Sequence, residues 1–354
     1  MSWQGIEGHD EIVAQFQRAL ARGRLASTFL FVGAEGIGKR SFALKLAQAL
    51  LCQRSPAAAL APCGTCEACV QVAAGTHPDL IVVAKPADKN VIPVELLIGS
   101  GEKRMQEGLC HEIGLKAFCG GRKVAIIDDA DDLNVEGANA LLKTLEEPPA
   151  DSVIILLGTS VEKQLPTIRS RSQLVAFRPL HPEVVARLLL EQQIVDSPDA
   201  AATLARYSEG SLGRARALAD PELWKFRAEF LQRLAQAPLN SPALARDVLA
   251  FVEAAGKEAP ARRERARQLI GFAAELYRQV IRTLSGSPAA ADEVLSASAV
   301  KLGVAIGDAE SAALAVERCL DAIAHIDRNV HQATAIECWL DDLARLTETA
   351  RVGG

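Results

Sequence analysis

The chain has 354 residues, 49% of them hydrophobic, and carries 39 Lys plus Arg against 44 Asp plus Glu for a net charge of -5. That length exceeds what one core usually serves and implies two or three domains. No run approaches the roughly 18 consecutive apolar residues of a spanning helix, so no membrane segment is expected. The mildly acidic balance argues against a domain that grips DNA by itself.

The first 25 residues mix Glu7, Asp10, Glu11 and Arg18 into a helix-like pattern, unlike the unbroken apolar stretch of a secretory signal. A cytoplasmic location is the resulting expectation. Up to about residue 178, apolar runs at Thr28–Val32, Leu80–Val83, Val124–Ile127 and Val153–Leu157 alternate with helix-like segments. The fold class expected is α/β, with a mostly parallel sheet covered by helices.

After the first run comes Gly33-Ala34-Glu35-Gly36-Ile37-Gly38-Lys39-Arg40-Ser41, and then a helical stretch to Leu51. This is the setting of a P-loop, in which glycines let backbone N–H groups face a phosphate and the lysine reaches its outer oxygens. The residue after the lysine normally offers a hydroxyl to Mg²⁺, but here it is Arg40, which has no lone pair to give. Ser41 lies one residue late, about 100° around the helix. Nucleotide binding is therefore expected to be weak or metal-poor, with slow or absent hydrolysis.

Cys52, Cys63, Cys66 and Cys69 follow, the last three at two-residue spacing with Gly64 at the turn. In a reducing compartment such a cluster points to a closed, structural zinc site rather than to disulfides. Cys52 has to return from the end of the P-loop helix, and His77 is the nearby substitute for it. An iron–sulfur cluster and unmetallated thiols are the other readings.

Val124–Ile127 leads into Asp128 and Asp129, which read as a Walker B end with Asp128 on the magnesium side. Asp129 stands where a hydrolytic enzyme usually has Glu, and its carboxylate ends about 1.5 Å short of that position. Asp131 and Asp132 read as a solvated strand end and helix start. Thr159 and Ser160 close the Val153–Leu157 run.

Beyond Arg178-Pro179-Leu180-His181-Pro182 the strand signals stop. Helical spacing continues to the end, with breaks near Ser197-Pro198, Glu209-Gly210-Ser211, Pro238 to Pro242 and Ser285-Gly286-Ser287-Pro288. From Ser311 to Leu346 the pattern is amphipathic, with Leu314, Leu320, Ile323, Ile326, Ile336, Leu340 and Leu343 in core-like positions.

Several motifs are more specific. They are the cysteine insertion after the P-loop helix, Ala74-Gly75-Thr76-His77-Pro78-Asp79, the run Asn139 to Pro149 containing Leu145-Glu146-Glu147-Pro148-Pro149, and Arg169-Ser170-Arg171-Ser172. With these the chain resembles the delta-prime family of bacterial DNA polymerase III clamp-loader subunits, within the AAA+ proteins. The first 180 residues carry the resemblance strongly and the remainder weakly.

The resemblance implies an AAA+ P-loop domain over 1–178 with a zinc insertion at about 52–69. A helical lid follows over 179–220 and a helical collar domain over 221–354, within which Arg328-Asn329-Val330 is a family-like detail. It further implies that Arg171 acts in trans on ATP held by an adjacent subunit, with Arg169 as the second candidate. The family motif is Ser-Arg-Cys, and here Ser172 replaces the cysteine. Thr159 falls at the family's first sensor position, while Gly213 occupies the place of the second sensor arginine, with Arg214 one position late. The implied partners are gamma/tau and delta subunits, with the sliding clamp and primed DNA reached through the assembly. Zinc and ATP or ADP are the implied ligands.

Two other functions compete. One is an active ATPase resembling the gamma/tau motor subunit, which Arg40, Asp129 and Gly213 oppose. The other is a stand-alone zinc-dependent nucleic-acid binder, disfavoured by the net charge and by the lack of a basic or aromatic surround.

Overall fold

Each of the four apolar runs is a strand in the computed structural model, which describes residues 3–86, 89–287, 292–328 and 330–352. The strands are β1 (Thr28–Val32), β2 (Leu80–Val83), β3 (Lys123–Ile127), β4 (Ser152–Gly158) and β5 (Gln173–Ala176). They form one parallel sheet in the order β2-β3-β4-β1-β5. The α/β class expected from the sequence is the one observed.

Burial on both faces explains the unbroken apolar character of the central strands. Phe29 and Phe31 of β1, Val124 and Ile126 of β3, and Val153, Ile155 and Leu157 of β4 enter one core, together with Phe16, Phe42 and Phe177. The alternate residues Leu30, Val32, Ala125, Ile127, Ile154 and Leu156 enter the other. Helices Asp10–Ala21 and Lys39–Leu51 supply the first core, and helix Val135–Glu146 supplies the second. β5 gave no clear sequence signal because it is a four-residue edge strand with only Val175 buried.

Parallel strands present their carboxyl ends along one edge. The loop after β1, Asp128 after β3, and Thr159 after β4 are therefore neighbours in space although far apart in sequence.

The chain divides into two compact units, Met1–Ala219 and Asp220–Gly354. The first includes the helices Pro182–Glu191, Pro198–Tyr207 and Leu212–Ala217. The second consists of six helices among the described residues, from Pro221–Leu234 to Gln332–Val352. Within it Arg227 is buried, pairs with Asp292 at 2.8 Å, and lies 5.1 Å from the centroids of Trp224 and Phe272. Pro288 and Asn329 fall outside the described residues.

One expectation for this half is corrected. Leu314 and Leu320 are 40% and 50% exposed, because helix Ala309–Asp327 turns Ala312, Ala315, Cys319, Ala322 and Ile326 inward. That stripe of mostly small residues lets the helix pack closely. The bulkier leucines point away, contrary to a reading based on side-chain size.

Candidate functional site

The phosphate loop begins where β1 ends and closes onto helix Lys39–Leu51. Gly36 and Gly38 have φ of 73° and 102°, backbone states that side chains rarely adopt, so the loop can curl back on itself. Lys39 Nζ donates to the Gly33 and Ala34 carbonyls at 2.6 and 2.8 Å. Burial pulls the lysine below its ordinary pKa of 10.5, against the opposing pull of Asp131, Glu35, Asp128 and Asp129.

Arg40 leaves the first turn of the helix and places Nη1 3.0 Å from Asp128 Oδ2. A permanent positive charge thus bridges the phosphate loop and the β3 acid. Ser41 is exposed one position further on. Asp129 has φ of 56° and donates its N–H to Asp128 Oδ1 at 3.1 Å. Burial, reinforced by the charge on Asp128, holds the Asp129 carboxyl above its ordinary range.

The reading of Asp131 as solvated is corrected. Its two oxygens accept the Thr159 N–H at 3.0 Å each, and it also takes hydrogen bonds from the Thr159 hydroxyl and from Gln164 Nε2. Room for this comes from Gly158, where a Cβ would lie 2.5 Å from Gln164 Nε2 and 2.8 Å from Asp131 Oδ1. Asp132 is half-buried and pairs with Lys85 at 2.6 Å. An acidic run at a strand end is ordinarily solvated, and only the return of β4 beside β3 creates partners for this one.

Helix Leu212–Ala217 sits against the phosphate loop. Its cap, Ser211, donates its hydroxyl to the Glu35 carbonyl at 2.8 Å, and Gly213 N–H donates to the Gly36 carbonyl at 3.0 Å. Arg214 is turned aside to Glu209 at 2.6 Å. Sequence reasoning missed both contacts of this helix, and it also missed His9. The buried His9 ring donates from Nε2 to the Ile37 carbonyl at 2.9 Å, and burial lowers its pKa.

Arg171 follows helix Pro166–Arg169 on the way to β5. Its Nε donates to Glu146 Oε1 at 2.7 Å. Ser172, at the position of the family's cysteine, has a buried hydroxyl with no hydrogen-bond partner. That surrounding suits a thiol better than an alcohol.

The sulfurs of Cys52, Cys63, Cys66 and Cys69 all lie within 4.8 Å of one another. Cys52 is 4.0 Å from Cys66, and Cys63 is 3.9 Å from Cys69. Zn–S bonds of about 2.3 Å at tetrahedral angles require sulfurs about 3.8 Å apart, so the donor set fits zinc closely.

Backbone N–H groups of Ser55 and Cys63 point at the Cys52 sulfur, that of Cys66 at the Cys63 sulfur and that of Cys69 at the Cys66 sulfur, over 3.3–3.5 Å, which favours thiolates there, whereas burial pushes the Cys69 thiol up to about 12. Such bonds from Thr65 and Cys66 push the Cys63 thiol down to about 6. Gln48 Nε2 donates to the Cys69 carbonyl at 2.8 Å and ties the cluster to the P-loop helix.

His77 groups instead with Asp79 and Cys119. Its Nδ1 accepts the Asp79 N–H at 3.0 Å, and the Asp79 carboxylate accepts the N–H groups of Phe118 and Cys119 at 2.7 and 2.9 Å. This trio braces the loop before β3.

Comparison with known proteins falls on the same region. Residues 8–181 match the family model described as DNA polymerase III, delta subunit. Over 150 residues the chain is 43% identical to the DNA polymerase III subunit delta' of Pseudomonas aeruginosa, covering 42% of each chain. It is 35% identical over 226 residues to the delta' subunit of Escherichia coli K12, covering 64% of this chain and 63% of that one. It is also 35% identical over 189 residues to the gamma/tau subunit of Mycobacterium bovis, covering 53% of this chain and 30% of the relative. The alignments thus span less than two thirds of the length of these relatives.

Proposed function

We propose, since residues 8–181 belong to the DNA polymerase III delta-prime family, that this chain is a clamp-loader subunit that completes a neighbour's ATPase site instead of running its own. In this reading it helps load the sliding clamp onto primed DNA, alongside gamma/tau- and delta-type subunits.

The carrying observation is the Arg40–Asp128 pair at 3.0 Å. In a hydrolytic P-loop site the metal sits between the loop hydroxyl and the β3 aspartate and neutralises the β- and γ-phosphates. Here the Arg40 guanidinium holds the aspartate, and the same side chain supplies no oxygen ligand. The Asp129 side chain is one methylene shorter than the usual Glu and stops short of an attacking water, and Gly213 brings no sensor arginine. Any ATP or ADP bound at Gly33, Gly36, Gly38 and Lys39 would therefore serve to shape the fold.

Arg171 is the group this chain would lend. Arginine suits the task because its charge is permanent and its N–H donors match a phosphoryl group in plane. Zinc held by the four cysteines would act structurally, since four thiolates leave no position for substrate.

The test compares the purified chain with a reconstituted loader. Negligible turnover by the chain alone, together with a large drop in DNA-stimulated turnover for an Arg171→Ala loader, is the expected pair of results. An unchanged rate in that loader overturns the trans role. A second reading, an active ATPase, draws on the gamma/tau similarity and the intact Lys39. Magnesium-dependent turnover by the isolated chain that Lys39→Ala abolishes would establish it.

A further inference from the structure

The Arg171 guanidinium is already engaged within its own subunit. Besides the Nε bond to Glu146, its Nη2 donates to the same carboxylate oxygen, while Nη1 donates to the Thr167 carbonyl and to Ser170 Oγ, each at 3.0 Å. A guanidinium has five N–H donors. These contacts occupy four, and the remaining Nη2–H cannot by itself make the paired, parallel bonds by which arginine recognises a phosphoryl group.

The neighbouring charge matters as much as the donor count. A carboxylate in contact with the guanidinium cancels most of the field it would project toward a nucleotide, and would itself repel the phosphates.

Glu146 also occupies an electrostatically costly position. It ends helix Val135–Glu146, where the helix dipole already makes the surroundings negative, and Pro148 and Pro149 prevent the helix from continuing past it. A carboxylate there is electrostatically unfavourable unless a cation answers it, and Arg171 is the cation that does.

The pair is also weak enough to open. Arg171 and Glu146 side chains are 30% and 47% exposed, and an ion pair so wetted biases a two-state equilibrium by no more than about fivefold.

We infer that Glu146 is a latch that stows Arg171, so that a neighbouring subunit's nucleotide receives the guanidinium only when the pair opens. This rests on the reading of Arg171 as a residue acting in trans. Opening couples the finger to whatever moves the end of helix Val135–Glu146 relative to the segment before β5, which makes it a point of control for an assembly event.

The experiment uses the full chain reconstituted with gamma/tau- and delta-type subunits, measuring ATP turnover with and without primed DNA and clamp. Glu146→Gln keeps the shape and removes the charge, while Glu146→Ala removes the acceptor. Both should raise DNA-free turnover about two- to fivefold, with DNA-stimulated turnover near the wild-type rate. The double variant Glu146→Ala/Arg171→Ala should behave as Arg171→Ala alone. If Arg171→Ala lowers turnover but neither Glu146 variant raises the DNA-free rate, the latch is wrong and the finger stands. If Arg171→Ala changes nothing, the reading beneath the latch fails first.

Discussion

Gly213 donates its N–H to the Gly36 carbonyl at 3.0 Å, and the two backbones lie so close that a Cβ on Gly36 would come within 2.9 Å of Gly213 Cα. The glycine at 213 is therefore required by packing. A larger residue at 213 cannot keep helix Leu212–Ala217 on the loop at Gly36.

Gly213→Arg should consequently separate the two segments. We expect a loss of about 1–3 kcal/mol in unfolding free energy, the usual cost of overfilling a packed contact, measured by denaturant titration. Unaltered stability would mean that the glycine contact contributes nothing in solution.

Restoring a hydroxyl at position 40 isolates the effect of the guanidinium. Arg40→Thr removes the Asp128 partner and should raise magnesium-dependent ATP affinity roughly tenfold, corresponding to about 1.4 kcal/mol. Titration of a fluorescent ATP analogue with and without magnesium reads this directly. Equal affinities for the variant and the parent would show that Arg40 does not govern the site. Stability should change by less than about 1 kcal/mol, because the arginine is largely exposed.

Cys66→Ser should abolish a stoichiometric zinc content of about one per chain, since three thiolates hold the ion far less firmly than four. Proteolysis should then cut within residues 52–76, where the metal would otherwise cross-link the insertion. Metal analysis that finds no zinc in the parent protein argues against the site.

His9 makes stability depend on pH. Its ring is buried, so its folded pKa lies below the ordinary 6.5. As pH falls through 6.5 the unfolded chain takes up the proton first. The stabilisation is thus fully present above the unfolded pKa and is lost as pH drops toward the folded value. Between pH 7 and 5 the wild-type protein should lose more stability than His9→Asn does. Parallel pH profiles for the two would remove His9 from this role.

Ser172→Cys should stabilise the chain by about 1 kcal/mol. It replaces a buried hydroxyl without a partner by a thiol with little need of one. A lowered unfolding midpoint would show that the hydroxyl is satisfied in solution.

Much of this was legible along the chain because it depends on local chemistry. Apolar runs of strand length, glycines ahead of Lys39, and cysteines two residues apart all carry their meaning within a few neighbours. Even the absence of a hydroxyl at Arg40 is a matter of one side chain's lone pairs.

Contacts across tens to hundreds of residues were not legible, because nothing in a residue's immediate sequence specifies what will face it. Asp131 reads as a surface acid until β4 brings Thr159 and Gln164 alongside. Leu314 and Leu320 look like core until the small residues of their helix claim the packed face. Gly213 looks like a deletion of function until it is seen against Gly36, 177 positions earlier in the chain. Chemistry held in single side chains survives translation into a one-dimensional string. Chemistry that depends on which surfaces meet arises only when burial and backbone pairing settle the fold as a whole.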